Sequence, residues 1–204
     1  MAKLIFNYAA MNSGKSIDLI RTVYNYKENG KKVLVMKPMI DTKGADTVET
    51  RVGLSQKVDF LIPEDADILP MLIGKLNDVK CIFVDEAQFL TSKQVEQLFI
   101  ISSILDVSVI CYGLRTNFKG ELFEGSARLM ALATELNEFK TLCKCGEIAR
   151  FNARRIGGKY VNDGADVVID GTTGIEYVPL CSSCYVEDVM RMDPDKVKRY
   201  VKKI

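Results

Sequence analysis

The stretch Asn7–Tyr26, NYAAMNSGKSIDLIRTVYNY, decides the fold. It is entered from a strand-like segment, Lys3–Tyr8 (KLIFNY), and left through a run in which Ile17, Ile20 and Tyr24 fall at helical spacing, with Gly30 as the stop. Between them lies most of the phosphate-gripping pattern G-x-x-x-x-G-K-[ST]. Ala9 fills the first glycine position, and Ala10, Met11, Asn12, Ser13, Gly14, Lys15 and Ser16 follow. The chemistry of such a loop comes from backbone N–H groups turned inward at a helix N-terminus, where partial positive charge favours phosphate. These eight residues are therefore expected to bind ATP, with Lys15 reaching the β and γ phosphates and the Ser16 hydroxyl ligating Mg²⁺. SGKS alone would also suit an ordinary turn, and Ala9 departs where glycine's tolerance of positive φ is normally used. The placement between an apolar strand and an amphipathic helix favours the nucleotide site.

Outward from this loop the chain alternates strands and helices. KKVLVMKP reads as a second strand, and the polar segment from Asp41 to Gln56 is expected to be a mobile loop in which Lys43 and Arg51 could reach phosphate or simply be solvated. ADILPMLIGKL reads as a helix that begins or bends at Pro70. CIFVDE is a strand ending in two acids, TSKQVEQLFIISSIL a helix capped by Thr91 or Ser92, and VSVICYG another apolar strand. Continuous apolar runs bounded by helices indicate a parallel sheet covered on both faces, a doubly wound α/β domain over residues 1–140. Asp85 at the end of CIFVDE is the acid expected to hold Mg²⁺. Strand alternation would turn the neighbouring Glu86 another way, toward a nucleophile as general base. Two solvated acids at a strand end are the plainer alternative.

Composition sets the remaining bounds. In 204 residues, 48% are hydrophobic and 27% charged, with no apolar run long enough to span a membrane. The N-terminus lacks the pattern of a signal peptide, and a cytoplasmic protein is expected. A net charge of +1 offers no general attraction for nucleic acid, and the lack of histidine leaves acid–base chemistry to carboxylate, lysine, tyrosine or cysteine. Cys81 and Cys111 sit in apolar strands and are expected to be buried and inert. Cys143 and Cys145, then Cys181 and Cys184, form two close pairs within a β-rich second unit over residues 141–192. Four thiolates satisfy tetrahedral Zn²⁺; spacing alone also allows reduced thiols or a redox pair. Over residues 193–204, Asp193 is the expected N-cap of a terminal helix, with Pro194 at its first position.

Three segments in order, AAMNSGKS, FVDEAQFL at 83–90 and CYGLRTNFKGELFEGS at 111–126, followed by the cysteine pairs, resemble the thymidine kinase family that includes bacterial and cytosolic human enzymes. GLRTNFKGELFEGS is the most specific part. The resemblance implies a RecA-like α/β domain with a β-rich, zinc-stabilised lid domain, assembled as a homotetramer. It also implies that Glu86 takes the proton from the 5′-hydroxyl of thymidine as ATP gives up its γ-phosphoryl group. Met11, Phe89, Leu114, Phe118, Phe123 and Tyr177 would then surround the nucleoside; read without the resemblance, most of them belong to a core. Structural zinc on Cys143, Cys145, Cys181 and Cys184 and inhibition by thymidine triphosphate follow from the same likeness. Three positions depart from the family pattern: Ala9-Ala10 replaces Gly-Pro, Asn117 replaces Asp, and DGTTGIEY makes the lid slightly longer. The rival reading is a nucleic-acid-dependent ATPase with a zinc ribbon, because DEAQ occurs in helicase strand motifs; the charge balance and the room for only one nucleotide core weigh against it.

Overall fold

The computed structural model describes residues 1–39, 46–164 and 174–201. Lys43 and the 165–173 part of the expected lid lie outside the described residues. The chain divides into two compact units: residues 1–9, 14–115 and 122–139 form one, and residues 10–13, 116–121 and 140–204 the other.

The first unit runs β1 (Leu4–Ala9), α1 (Lys15–Glu28), β2 (Lys32–Pro38), β3 (Thr47–Glu49), β4 (Ser55–Lys57), β5 (Phe60–Ile62), α2 (Ile68–Met71), β6 (Val79–Val84), a 3₁₀ turn (Ala87–Phe89), α3 (Ser92–Ile104), β7 (Ser108–Leu114), α4 (Glu124–Leu132) and β8 (Glu135–Glu138). Six strands form one sheet in the order β5-β2-β6-β7-β1-β8, and every neighbouring pair within it is parallel. Parallel strands need crossover connections, which is why helices separate them along the chain.

The apolar runs of β2, β6 and β7 are continuous because these strands are buried on both sides. Along β6, Ile82 and Val84 join a cluster with Val95, Leu98 and Ile101 of α3 and Leu129 of α4, while Cys81 and Phe83 join Leu19 and Val23 of α1 on the other face. The helix after the glycine-lysine turn therefore buries Leu19 and Val23, four residues apart; Ile17 and Tyr24 are exposed. Tyr112 of β7 ties this face to the first turn of α1 by donating its hydroxyl to Asp18 Oδ2 at 2.9 Å.

Thr91 caps α3 with a reciprocal box. Its hydroxyl accepts from Gln94 N at 3.3 Å, and its own N–H donates to Gln94 Oε1 at 3.1 Å. Gln94 Nε2 also donates to Pro63 O at 2.8 Å, which fixes the connection after β5. ADILPMLIGKL yields only the single turn of α2 around Pro70. The described part of the polar segment, expected to be a mobile loop, is instead an antiparallel pair, β3 with β4, anchored by the buried Val48.

The second unit contains β9 (Thr141–Leu142), β10 (Ile148–Ala149), β11 (Phe151–Ile156), β12 (Lys159–Val161), β13 (Ile175–Leu180), α5 (Ser182–Asp188) and α6 (Pro194–Val201). An antiparallel sheet in the order β12-β11-β13 stands beside the β9–β10 pair. Its small core gathers Cys143, Ala149, Ala153, Leu180, Cys181, Tyr185 and Val189, with Phe151 stacked on Tyr185 at 4.9 Å. Asp193 Oδ1 accepts from Asp195 N at 2.9 Å, as an N-cap before Pro194 does. Among the described residues no helix is long and apolar enough to cross a membrane.

Candidate functional site

β1 closes at Ala9, and α1 opens at Lys15 and Ser16 with Gly14 as its N-cap. The left-handed backbone positions of the intervening loop are Asn12 (φ 61°) and Gly14 (φ 82°); Ala9 has no positive φ. Ala9 is the last, buried residue of a strand, so alanine there carries no left-handed strain.

In the first unit Lys15 shares its surroundings with two acids. Burial lowers the Lys15 pKa, and the Glu86 and Asp85 carboxylates oppose that shift. Asp85 is buried at 6% exposure, and its N–H donates to Met36 O at 3.0 Å. Burial raises its pKa most, the Glu86 carboxylate raises it further, and Lys15 and the buried Lys37 pull it back. Asp85 is buried while Lys15 and Glu86 are half-buried, so their charges interact more strongly than they would in open water.

Strand β6 ends at Val84, one residue before the acids. Glu86 lies in the left-handed region at φ 49°, ψ 37°, uncommon for a residue with a side chain. Its direction therefore comes from this turn, in place of the strand alternation expected for CIFVDE. Such conformations persist only where the surroundings hold them, and they cluster at functional sites. The holding partner is Gln88, 2% exposed, whose Nε2 donates to Glu86 Oε2 at 2.5 Å while its Oε1 accepts from Leu114 N at 3.0 Å. Gly113 leaves room for this amide: a Cβ there would stand 2.8 Å from Gln88 Oε1. Gly125 at the start of α4 is equally constrained, since a Cβ would lie 2.6 Å from both Ala87 O and Leu90 O. That close approach sets Phe123 beside Phe89, edge to face at 5.7 Å. Both rings and Leu114 are partly exposed, so apolar surface is available next to the acids of this unit.

The second unit holds the middle of the phosphate loop. Met11 N–H donates to Asn152 Oδ1 at 2.8 Å, Asn152 Nδ2 donates to Thr116 O at 3.0 Å, and the Thr141 hydroxyl donates to Asn12 O at 3.0 Å. The Met11 N–H is thus engaged within the second unit. Phe118 is fully buried, with the Arg154 guanidinium 3.6 Å from its ring centroid. Arg154 Nη2 and Nε in turn donate to the Tyr177 hydroxyl at 2.8 and 3.1 Å. Asn117 closes its own turn, accepting through Oδ1 from Lys119 N and Glu121 N, each at 3.0 Å; an aspartate could accept the same two bonds.

Cys143, Cys145, Cys181 and Cys184 place their sulfur atoms within 4.8 Å of one another. Cys145 Sγ and Cys181 Sγ lie 3.6 Å apart. Zinc–sulfur bonds of about 2.3 Å in a tetrahedron imply sulfurs about 3.8 Å apart, so the set fits Zn²⁺. Cys81 and Cys111 are fully buried in the first unit, where burial pushes the Cys81 thiol up to about 12 and raises Cys111 as well.

Three residues of these sites lie outside the sequence expectations. Gln88 stands two positions after Glu86 in the run AQFL. Asn152 and Arg154 alternate along β11, a spacing that reads as a solvated strand face, yet both are buried.

The family model for thymidine kinase matches residues 2–185. The chain belongs to the thymidine kinase family. Similar members include thymidine kinases of Ruegeria pomeroyi (44% identical, covering 89% of this chain and 92% of that protein) and of phage T4 (45%, 89% and 94%). That of Rhodopirellula baltica is 40% identical over 97% of this chain and 94% of its own. Among solved structures, Pif1 helicase from Candida albicans is similar over 68% of this chain and 36% of its own, at 10% identity and a TM-score of 0.40, too loose a likeness to bear on function.

Proposed function

We propose that the chain transfers the γ-phosphoryl group of ATP to the 5′-hydroxyl of thymidine, giving thymidine monophosphate and ADP. Membership of the thymidine kinase family gives the reaction class. The observation that carries the mechanism is that Lys15, at the start of α1, shares its electrostatic surroundings with Asp85 and Glu86, at the end of β6, in the first unit.

In this reading the N-terminus of α1 and Lys15 neutralise the phosphate oxygens of ATP. Ser16 and Asp85 would hold Mg²⁺, which when bound supplies further positive charge to those oxygens. Glu86 accepts the proton of the 5′-hydroxyl. As the 5′ oxygen bonds to the γ-phosphorus, the bond from that phosphorus to the β–γ bridging oxygen breaks, and ADP leaves. Through the family resemblance, Met11, Phe89, Leu114, Phe118, Phe123 and Tyr177 are assigned to the nucleoside. Flat apolar side chains suit a pyrimidine ring, and closure of the lid would keep water from competing for the phosphoryl group.

We assign the four-cysteine cluster to structural zinc, since all four ligand positions are filled by protein and none is left for a substrate. A homotetramer, a cytoplasmic location and inhibition by thymidine triphosphate belong to the same proposal through the family resemblance. Sedimentation tests the first, and competition against thymidine tests the last.

The proposal is tested by incubating the protein with Mg-ATP and thymidine, with uridine and deoxycytidine in parallel and an acceptor-free control. Thymidine monophosphate formed in step with ADP is the expected result. ADP formed equally without acceptor and stimulated by nucleic acid would overturn it in favour of the ATPase reading, which family membership disfavours.

A further inference from the structure

We propose that Gln88 is the positioning residue for Glu86, and that through one buried amide it fixes the distance between the general base and the wall of the nucleoside site at Leu114. The proposal rests on Glu86 being the base.

Both ends of the amide are determined. Leu114 N–H is a donor and so must face Oε1, at 3.0 Å. The Nε2 end is then turned to the Glu86 carboxylate, whose Oε2 accepts from it at 2.5 Å. A flipped amide would set donor against donor and acceptor against acceptor, so this orientation is unique. Gly113 is built around it, because any side chain at that position would collide with Gln88 Oε1.

Glu86 needs such a partner because its left-handed backbone does not hold it through a regular ladder. Gln88 is itself in the 3₁₀ turn that follows, packed at 2% exposure, so it has little freedom to follow a moving carboxylate. The bond to Gln88 engages one carboxylate oxygen, Oε2, and leaves Oε1 to receive the proton from the acceptor hydroxyl. Leu114 lies at the end of β7, and Ser126 of α4 holds the carbonyl of that same residue, donating its hydroxyl to Leu114 O at 2.6 Å. The base and the nucleoside wall are thus parts of one braced strut. Displacing a reacting group by about 1 Å costs about 10²-fold in rate, whereas ground-state binding is far less sensitive.

The test is a double-mutant cycle with Glu86→Ala and Gln88→Leu, measuring kcat, the KM for thymidine and the affinity for Mg-ATP. Gln88→Leu alone is expected to lower kcat by about 10- to 10²-fold with both binding constants within about threefold of the parent. In the Glu86→Ala background it should lower the residual kcat by no more than about twofold, because the group it acts on has gone. Equal losses in both backgrounds would mean a structural role and would overturn the proposal, as would an unchanged kcat. Should Glu86→Ala itself leave kcat intact, the base assignment falls, and the positioning role with it. If Gln88→Leu does not fold, Gln88→Glu keeps the volume and the acceptor for Leu114 N–H but sets a carboxylate against Glu86. It should lower kcat with little change in KM, and a parent-like kcat would count as refutation.

Discussion

The two units reach stability by different physical routes. The first buries a parallel sheet on both faces: Phe83 packs toward α1, Ile82 and Val84 toward α3 and α4, and much of the chain's apolar sequence is consumed there. In the second, the core is small, and two of its members, Cys143 and Cys181, are themselves candidate metal ligands. A unit with so little apolar surface needs a staple, as small domains generally do. The lesson is that the first unit should hold its shape by hydrophobic burial, while the second should depend on a metal if its four cysteines bind one, as proposed.

With zinc on the four cysteines as proposed, its removal should separate the behaviour of the two units most severely. Structural zinc supplies about 10 kcal/mol or more to small metal-folded domains. Cys181→Ser, or a strong chelator, should abolish hydrogen-exchange protection in β11 and β13 and leave it intact in β1, β6 and β7. Uniform loss across both units would contradict the comparison. Thiol labelling at pH 8 sharpens it. After chelation four cysteines should react, whereas Cys81 and Cys111 should stay silent until the first unit unfolds. Burial raises both of these thiols, Cys81 to about 12, so at pH 8 each remains protonated and non-nucleophilic. Labelling of Cys81 in the chelated, folded protein would contradict this.

Phe83→Ala should produce the next largest effect. It empties a fully buried site on the α1 face and should destabilise the first unit by about 3–5 kcal/mol in urea unfolding, with zinc retained. Thr91→Ala is the smallest perturbation. Losing the hydroxyl that accepts from Gln94 N should cost about 1 kcal/mol, since the Gln94 side chain still bonds the 91 N–H and Pro63 O. A cost near that of Phe83→Ala would mean that the cap organises more of the unit than its own helix end.

What could be read directly from the sequence follows this physical division. The strands of the first unit were legible because two-sided burial makes each an unbroken apolar run, and Lys15, Asp85 and the cysteine pairs because their spacing is tied to their chemistry. The buried face of α1 was harder to read. Ile17 and Tyr24 are apolar and suitably spaced, but the sheet takes Leu19 and Val23 instead. Asn152 and Arg154 were hidden for a related reason: polar residues at alternate positions look solvated, and only tertiary partners, Met11 N–H for one and Phe118 with Tyr177 for the other, explain their burial. The turn at Glu86 could not be anticipated either, because no glycine marks its positive φ. The distant Leu114 N–H gives Gln88 the orientation that holds Glu86 in place.

The measurement that tests the account most directly is turnover of Glu86→Gln, taken with its equilibrium affinity for Mg-ATP. If Glu86 is the base in a site whose phosphate grip belongs to Lys15 and the N-terminus of α1, thymidine phosphorylation should fall by about 10²- to 10⁴-fold while ATP affinity stays at the parent value. Parallel loss of turnover and ATP affinity, or turnover that survives the substitution, would contradict it.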